Sequence, residues 1–488
     1  MRIRQGDFAI TARRLGPAAL QGKFGIRGLF GRLPSPQPLR DSTAAGARCR
    51  FWSHSYDFRR LHCIQYSQEL WFASDIRIIV IRILFSYDFR PEFLWRLGLL
   101  LALLHLGAAG SAVTASAQLL TRDRPVEAGV IKIGMSSAQS GRLGYVGLSV
   151  KRGCAAYFAR VNSEGGVYGR RLALVDYDDG YEPLSAVSNA EKLINQDRVF
   201  ALLGFVGTPT CGALLSMLSD ANIVLVGPMS GAGILRDPLQ PLVFNTRAGY
   251  DDETEVLVKH LTGDLGFTRI ALFRQSDSYG RAGKEGVVKA LHQRGLDVVA
   301  DGAYTRNSVD VEAALDSIVP VKPEAIILVG AYKPCAEFIK KAKKRGLANA
   351  VFCNVSLVGT EPLIKFLGSD GDGVVVTQVL PSPQDRSLPL VQNYQMDMKQ
   401  AGYTQFDYAS LEGYLDALIL VSGLRQAGAE LTQQGLQQAL ENVSLDFGPL
   451  QIKFDRTSHE GTHTVFLTRI EGGEAKPVET LARTPAQR

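Results

Sequence analysis

IKIGMSS (131–137), LALVDYDD (172–179), FALLGFVG (200–207) and IVLVGP (223–228) are short apolar runs, each followed by a stretch with helical spacing. From Thr268 the alternation restarts with RIALFRQ (269–275), DVVADGAY (297–304), AIILVGA (325–331) and AVFCNVS (350–356). Strands alternating with helices read as βαβ units around parallel sheets. Runs such as FALLG and AIILVG are apolar on both sides of the pleat, as a sheet covered on both faces requires. The helices agree locally. Val150, Cys154, Phe158 and Val161 form one apolar stripe. Gly165 and Gly166 then supply the left-handed backbone that ends a helix. The reading is α/β, with two doubly wound parallel-sheet lobes and the function in the cleft between them.

The chain has 488 residues, enough for two or three domains. The first lobe is expected over residues 130–246 with 381–443, and the second over 247–380 with 444–475, followed by a tail at 476–488. RAGYDDE (247–253) marks the first passage between lobes, Pro381–Pro383 the second and Ser444–Pro449 the third. Three passages make a multi-crossing hinge, suited to rigid-body closure around a ligand. Helices are expected at Leu388–Ala401, Tyr408–Ala427 and Thr432–Glu441, then a hairpin over QIKFDRTSHEGTHTVFLTRI (451–470).

The net charge of +6 is unevenly spread. Residues 1–100 hold sixteen basic against seven acidic side chains, leaving 38 basic against 41 acidic in the remainder. The folded part therefore carries no basic patch, which argues against nucleic acid as a partner. Arg90 and Arg96 precede an apolar stretch, Leu97–Ala109, and Ala115-Ser116-Ala117 fits a cleavage site. That pattern is a secretory signal peptide at 94–117, with Gln118 as the first mature residue, no membrane span in the mature chain, and a periplasmic destination. A leader starting there places translation initiation at a codon such as that of Leu94 or Leu84. Residues 1–93 would then be translated flanking DNA; the other reading is an N-terminal extension.

Ligands of parallel α/β sheets sit beyond the carboxyl ends of the strands. Those ends are rich in Ser, Thr, Gly and Tyr. GTPT puts Thr208 and Thr210 at an expected helix start, and GPMSGAG does the same with Ser230 and Gly231. Such termini suit an anion, here a carboxylate, although Thr208 and Ser230 read equally as N-caps. Tyr279 and Tyr332 stand where they would close over an apolar or aromatic body; Tyr332 reads equally as packing between lobes.

Catalytic signatures do not appear. There is no G-x-S-x-G, P-loop or HExxH. Gly141, Gly144 and Gly147 lack dinucleotide spacing, and Asp176 lies 35 residues beyond Gly141, too far for ribose recognition at ~20. Asp178 and Asp179 read as loop caps, and His260, His292, His459 and His463 as solvated. Cys154, Cys211, Cys335 and Cys353 form no CxxC and read as small buried hydrophobes, with three disulfide connectivities formally open. Neither an enzyme nor a cofactor is expected.

Several segments together resemble one family: IKIGMSSAQSGRLGYVG, VNSEGGVYGRRLALVDYDDGYEP, FALLGFVGTPT, IVLVGPMSG, SDSYGRAGKEG, GDGVVVTQVLPSP and YASLEGYLDALIL. From Val130 to about Gly473 the chain is similar to type I periplasmic substrate-binding proteins of ABC transporters, in the branched-chain amino acid group. The resemblance implies a Venus-flytrap receptor that captures a small solute and delivers it to an ABC permease. It implies that Thr208, Thr210 and Ser230 hold a carboxylate, with Tyr145, Tyr279 and Tyr332 as aromatic walls. Where amino-acid binders place an acid for the ligand ammonium, this chain has Ser356, with Asp277 as a substitute. That departure leaves an amino acid and an amine-free organic or aromatic acid both open. A ligand-sensing regulator on the same fold is the alternative function. N-terminal sequencing of secreted protein is expected to give a single start at Gln118; a peptide from residues 1–93 would contradict the leader assignment.

Overall fold

A computed structural model describes residues 129–482. The extension at 1–93 and the leader at 94–117 lie outside the described residues. Strands β1 (Val130–Ser137), β2 (Arg171–Asp178), β3 (Ala201–Leu203), β4 (Leu225–Val226) and β5 (Val243–Phe244) form a parallel sheet in the order β2-β1-β3-β4-β5. Next come β6 (Ile270–Gln275), β7 (Asp301–Tyr304), β8 (Ala325–Val329), β9 (Val351–Asn354) and β10 (Val375–Gln378). They form a second parallel array ordered β7-β6-β8-β9-β10. The two sheets therefore wind identically. In each, the strand order reverses beside the array's first strand, at β1/β3 and at β6/β8, which is where crevices for ligands open. All five residues of β8 are buried, as continuous apolar character predicts.

The segment after β10 returns to the first sheet. Helix Tyr408–Ala427 lies across helix Gly144–Ser163 with almost no gap. A Cβ on Gly153 would stand 1.9 Å from the Ser410 carbonyl oxygen, and one on Gly413 2.2 Å from that of Val150. Cys154 Sγ donates to the Gly413 carbonyl at 3.0 Å in the same contact. Side-chain-free positions on both helices set this backbone approach.

The expected 451–470 hairpin divides between two sheets. β11 (Ser444–Asp446) pairs with β12 (Gln451–Lys453), whereas β13 (Phe466–Glu471) and β14 (Glu474–Pro477) extend the second sheet antiparallel beyond β10. The chain also remains with the first lobe past Ser444–Pro449. Asn245 N–H donates to the His459 carbonyl and Gly461 N–H to that of Asn245, each at 2.8 Å. Phe454 and His459 pack on Phe244, with ring centroids 5.4 and 4.0 Å away. Burial of these rings places the third passage after Gly461. It also makes His459 a buried ring, 2% exposed, rather than a solvated one. Cys154, Cys211, Cys335 and Cys353 are buried free thiols.

Gly153→Ala is expected to cost about 2–3 kcal/mol through overpacking of the helix crossing. Urea denaturation should show a lower midpoint at unchanged slope; a wild-type midpoint would mean that the two helices separate freely.

Candidate functional site

The site begins with tight loops at the two switch points. Gly207, after β3, has φ of 101°, and a Cβ there would lie 2.3 Å from Cε2 of Tyr181. Glycine thus satisfies both the backbone and the ring beneath it. Tyr181 is itself left-handed, with φ of 66°. Asp179 holds it, accepting from Tyr181 N–H and from the Ser136 hydroxyl, each at 2.9 Å. Asp178 accepts from the N–H groups of Gln139, Ser140 and Gly180. Both aspartates therefore act as loop caps.

The Tyr181 hydroxyl reaches the other lobe. It accepts from Gln275 Nε2 at 3.1 Å, while Tyr304 donates to Gln275 Oε1 at 2.9 Å. At the rim, Glu182 of the first lobe meets Arg306 at 2.8 Å and Asn307 at 2.6 Å. The lobes are closed on each other. One cavity between them is about 10 Å³, room for a single water, and a second, open to solvent, is about 560 Å³ and is lined by Thr208, Ile234, Asp277 and Arg306 among others. Tyr145, Met229, Ser356, Glu361, Tyr408 and Glu412 are among the residues that line the first.

The predicted positions fall in several surroundings. Thr208 and Ser230 are buried with their hydroxyl oxygens 2.8 Å apart. Thr210 faces its own turn, donating to the carbonyls of Val206 and Gly207 at 2.5 and 2.8 Å. Thr208 opens a helix of only five residues, Thr208–Gly212, and none starts at Ser230; a three-residue turn begins at Gly233. Arg236 organises that glycine-rich loop instead, donating to the carbonyls of Ser230, Ala232 and Arg247. Gly231 admits Tyr250, whose N–H donates to the Gly231 carbonyl at 2.7 Å.

Among the second-lobe positions, Asp277 caps helix Ser278–His292 through the N–H groups of Tyr279 and Gly280, and also accepts from Gln275 at 2.7 Å. Burial raises its pKa. Tyr332 stacks on Phe366 at 5.7 Å. Tyr145 donates to Asp407 at 3.0 Å. Ser356 is bound from behind. Its N–H and hydroxyl donate to Glu253 at 2.7 and 3.0 Å, and the Arg247 guanidinium donates to its oxygen.

Sequence reasoning missed Arg247, Tyr250, Gln275 and Glu412. Arg247 and Tyr250 lie in RAGYDDE, read only as a boundary; a cation beside three acids was the available signal. Arg247 is 1% exposed. It pairs with Glu253 at 3.3 Å and, across the lobes, with Glu412 at 3.2 Å. Burial raises the Glu412 carboxyl against the pull of Arg247, and burial with the nearby Asp407 charge lifts Glu361 to about 8. Among the described residues, no group of three or more His, Cys, Asp or Glu is placed to hold a metal.

Residues 130–475 match the sequence pattern of the periplasmic binding protein family. A Leu/Ile/Val-binding protein of Citrobacter freundii is 25% identical over 351 residues, 70% of this chain and 91% of that one. The crystal structure of a possible leucine/isoleucine/valine-binding protein from Rhodopirellula baltica superposes with a TM-score of 0.70 at 31% identity, covering 73% of this chain and 99% of its own. An ABC-transporter solute-binding protein from R. palustris, solved in complex with benzoate, has a TM-score of 0.65 at 22% identity over 72% of this chain and 96% of its own.

Asp179 gives this geometry a pH signature. Burial is the main cause that raises its carboxyl from 3.8 to about 6. The folded chain therefore binds this proton more tightly than the unfolded chain. The resulting stability is complete below about pH 4 and lost as pH rises through 6. Asp179→Asn is expected to flatten the stability profile between pH 4 and 7 by about 2–3 kcal/mol. Denaturant titrations at both pH values measure this; an unchanged profile would assign the effect elsewhere.

Proposed function

The chain belongs to the periplasmic binding protein family, and we propose that it is an extracytoplasmic receptor for a small carboxylate-bearing solute. The solute is an amino acid or a related organic or aromatic acid, captured between the lobes and released to an ABC permease. The observation that carries this reading is the buried hydroxyl pair Thr208–Ser230, which lies beyond the strand ends of one lobe and beside the aromatic side chains of the other. Hydroxyls in such a place offer a carboxylate hydrogen bonds without reacting with it. Tyr145, Met229, Leu380 and Tyr408 offer apolar walls for its body around a cavity that must widen beyond its present single-water size to admit it.

The relatives support the class of solute and not its identity, since one binds branched-chain amino acids and one neighbour was solved with an aromatic acid. Capture and release, with no bond made or broken, fit a cleft in which the acidic side chains are capping, paired or buried. Among the described residues, no helix is long and apolar enough to cross a membrane, so delivery would depend on a separate permease.

A thermal-shift panel of amino acids and small carboxylic acids tests the reading. A cognate solute at a hundredfold excess over Kd should stabilise the fold by about 2.7 kcal/mol. Thr208→Ala and Ser230→Ala should each weaken its binding by about 1–2 kcal/mol while the ligand-free protein still folds cooperatively. Wild-type affinity in both variants would reduce the pair to a structural contact.

A further inference from the structure

Three buried donors between the lobes have no acceptor among the described residues. Arg247 uses Nη1 on Glu412 and Nη2 on Glu253 and Ser356, but its Nε has no partner among the described residues. The Tyr279 hydroxyl has none either, and that of Tyr250 meets no acceptor in good hydrogen-bond geometry, its nearest being the Thr208 hydroxyl, although each residue is only 1% exposed. Buried polar groups left without partners are costly and infrequent in native structures. These three are neighbours. The Tyr250 and Tyr279 rings are 5.4 Å apart, and Tyr250 is anchored to Gly231, next to the Thr208–Ser230 pair. Arg247 pulls the Tyr250 phenol down while burial lifts it to about 12, so both phenols enter any complex as O–H donors.

The carboxylates nearest these donors are already engaged: Asp277 accepts from the N–H groups of Tyr279 and Gly280 and from Gln275. Both Glu253 oxygens are engaged, by Ser356 N–H, the hydroxyls of Ser356 and Thr377, and Arg247. The carboxyls lining the nearby cavity, Glu361 and Glu412, are both raised by burial, Glu361 to about 8, so Glu361 faces a solute at neutral pH largely as an uncharged acid. We propose that Arg247, Tyr250 and Tyr279, beside Thr208 and Ser230, form the head-group site for a carboxylate with no adjacent ammonium, so that the solute is an organic acid rather than an α-amino acid. Its body would then lie against Met229, Tyr145 and Tyr408, in the space bordered by Ser356 and Glu412, the partners of Arg247; that space has room for one water in this closed arrangement and must widen to admit it. This inference rests on the receptor reading and narrows its ligand.

Calorimetric titration of the mature chain with matched pairs tests it: 4-methylpentanoate against leucine, and 3-phenylpropanoate against phenylalanine. In at least one pair the acid is expected to bind about tenfold or more tightly than its amino acid. Tyr250→Phe and Tyr279→Phe should each weaken the acid about tenfold, since a hydrogen bond to a charged group is lost. Tyr279→Phe should not lower the melting temperature of the ligand-free protein, because it removes an unsatisfied buried hydroxyl, and Tyr250→Phe should lower it little, since its hydroxyl meets only that of Thr208. Arg247→Gln should weaken binding further, but it also removes a buried charge from the fold, so the tyrosine variants decide. Amino acids that bind as tightly as their acids, or phenylalanine variants with wild-type affinity, overturn the inference and leave the receptor standing. If neither class binds, the receptor reading falls with it.

Discussion

Arg247 sits where the chain first leaves one sheet for the other, and its guanidinium is almost wholly withdrawn from water. A cation in that position is tolerable only if it is paired, and its partners come from both lobes. Glu412 belongs to the helix packed on the first sheet, whereas Glu253 and Ser356 belong to the second. Loss of one partner from such a buried arrangement typically costs about 3–5 kcal/mol, because the remaining charge is stranded. The closed relation of the lobes and the polarity of the cleft are therefore linked. Bringing the lobes together completes the surroundings of this charge.

The rest of the cleft follows from two sheets with one winding order. Both arrays reverse their strand order beside their first strand, and loops from the two lobes meet at Tyr181–Gln275 and Glu182–Arg306. Small residues then set the approach distances. Gly207 admits the Tyr181 ring and Gly231 admits Tyr250, so aromatic side chains lie where a Cβ would otherwise exclude them. Gln275 joins the halves, donating to Tyr181 and to Asp277 while accepting from Tyr304. Hydrogen bonds of this kind are short-range and directional, so the closed arrangement is discrete rather than continuously adjustable.

The strands and the main helices were legible because their signal is local. The apolar runs at 131–137 and 325–331 and the stripe Val150–Cys154–Phe158–Val161 each report burial by periodicity alone. The destination of residues 444–470 was not legible, since alternation at period two says that a segment is a strand and not which sheet it joins. The stacking of Phe454 and His459 on Phe244, some 210 residues earlier in the chain, decided that. For the site, the loop positions of Thr208, Ser230, Tyr279 and Ser356 were readable from strand ends. What each hydroxyl touches was not: Thr210 turned back on its own loop, and Ser356 was occupied by Glu253 and Arg247. Arg247 itself escaped notice because a charged residue at a linker ordinarily signals solvent, and only the fold shows that this linker runs through the interior.

Small-angle X-ray scattering on residues 118–488, free and saturated with a solute found to bind, tests most directly the idea of two lobes closing over a buried polar cluster. The ligand-free protein is expected to have the larger radius of gyration, and saturation should lower it toward that of the closed arrangement, opened only as far as the solute requires. An identical radius in both states, with binding independently verified, would contradict closure and require the solute to sit elsewhere.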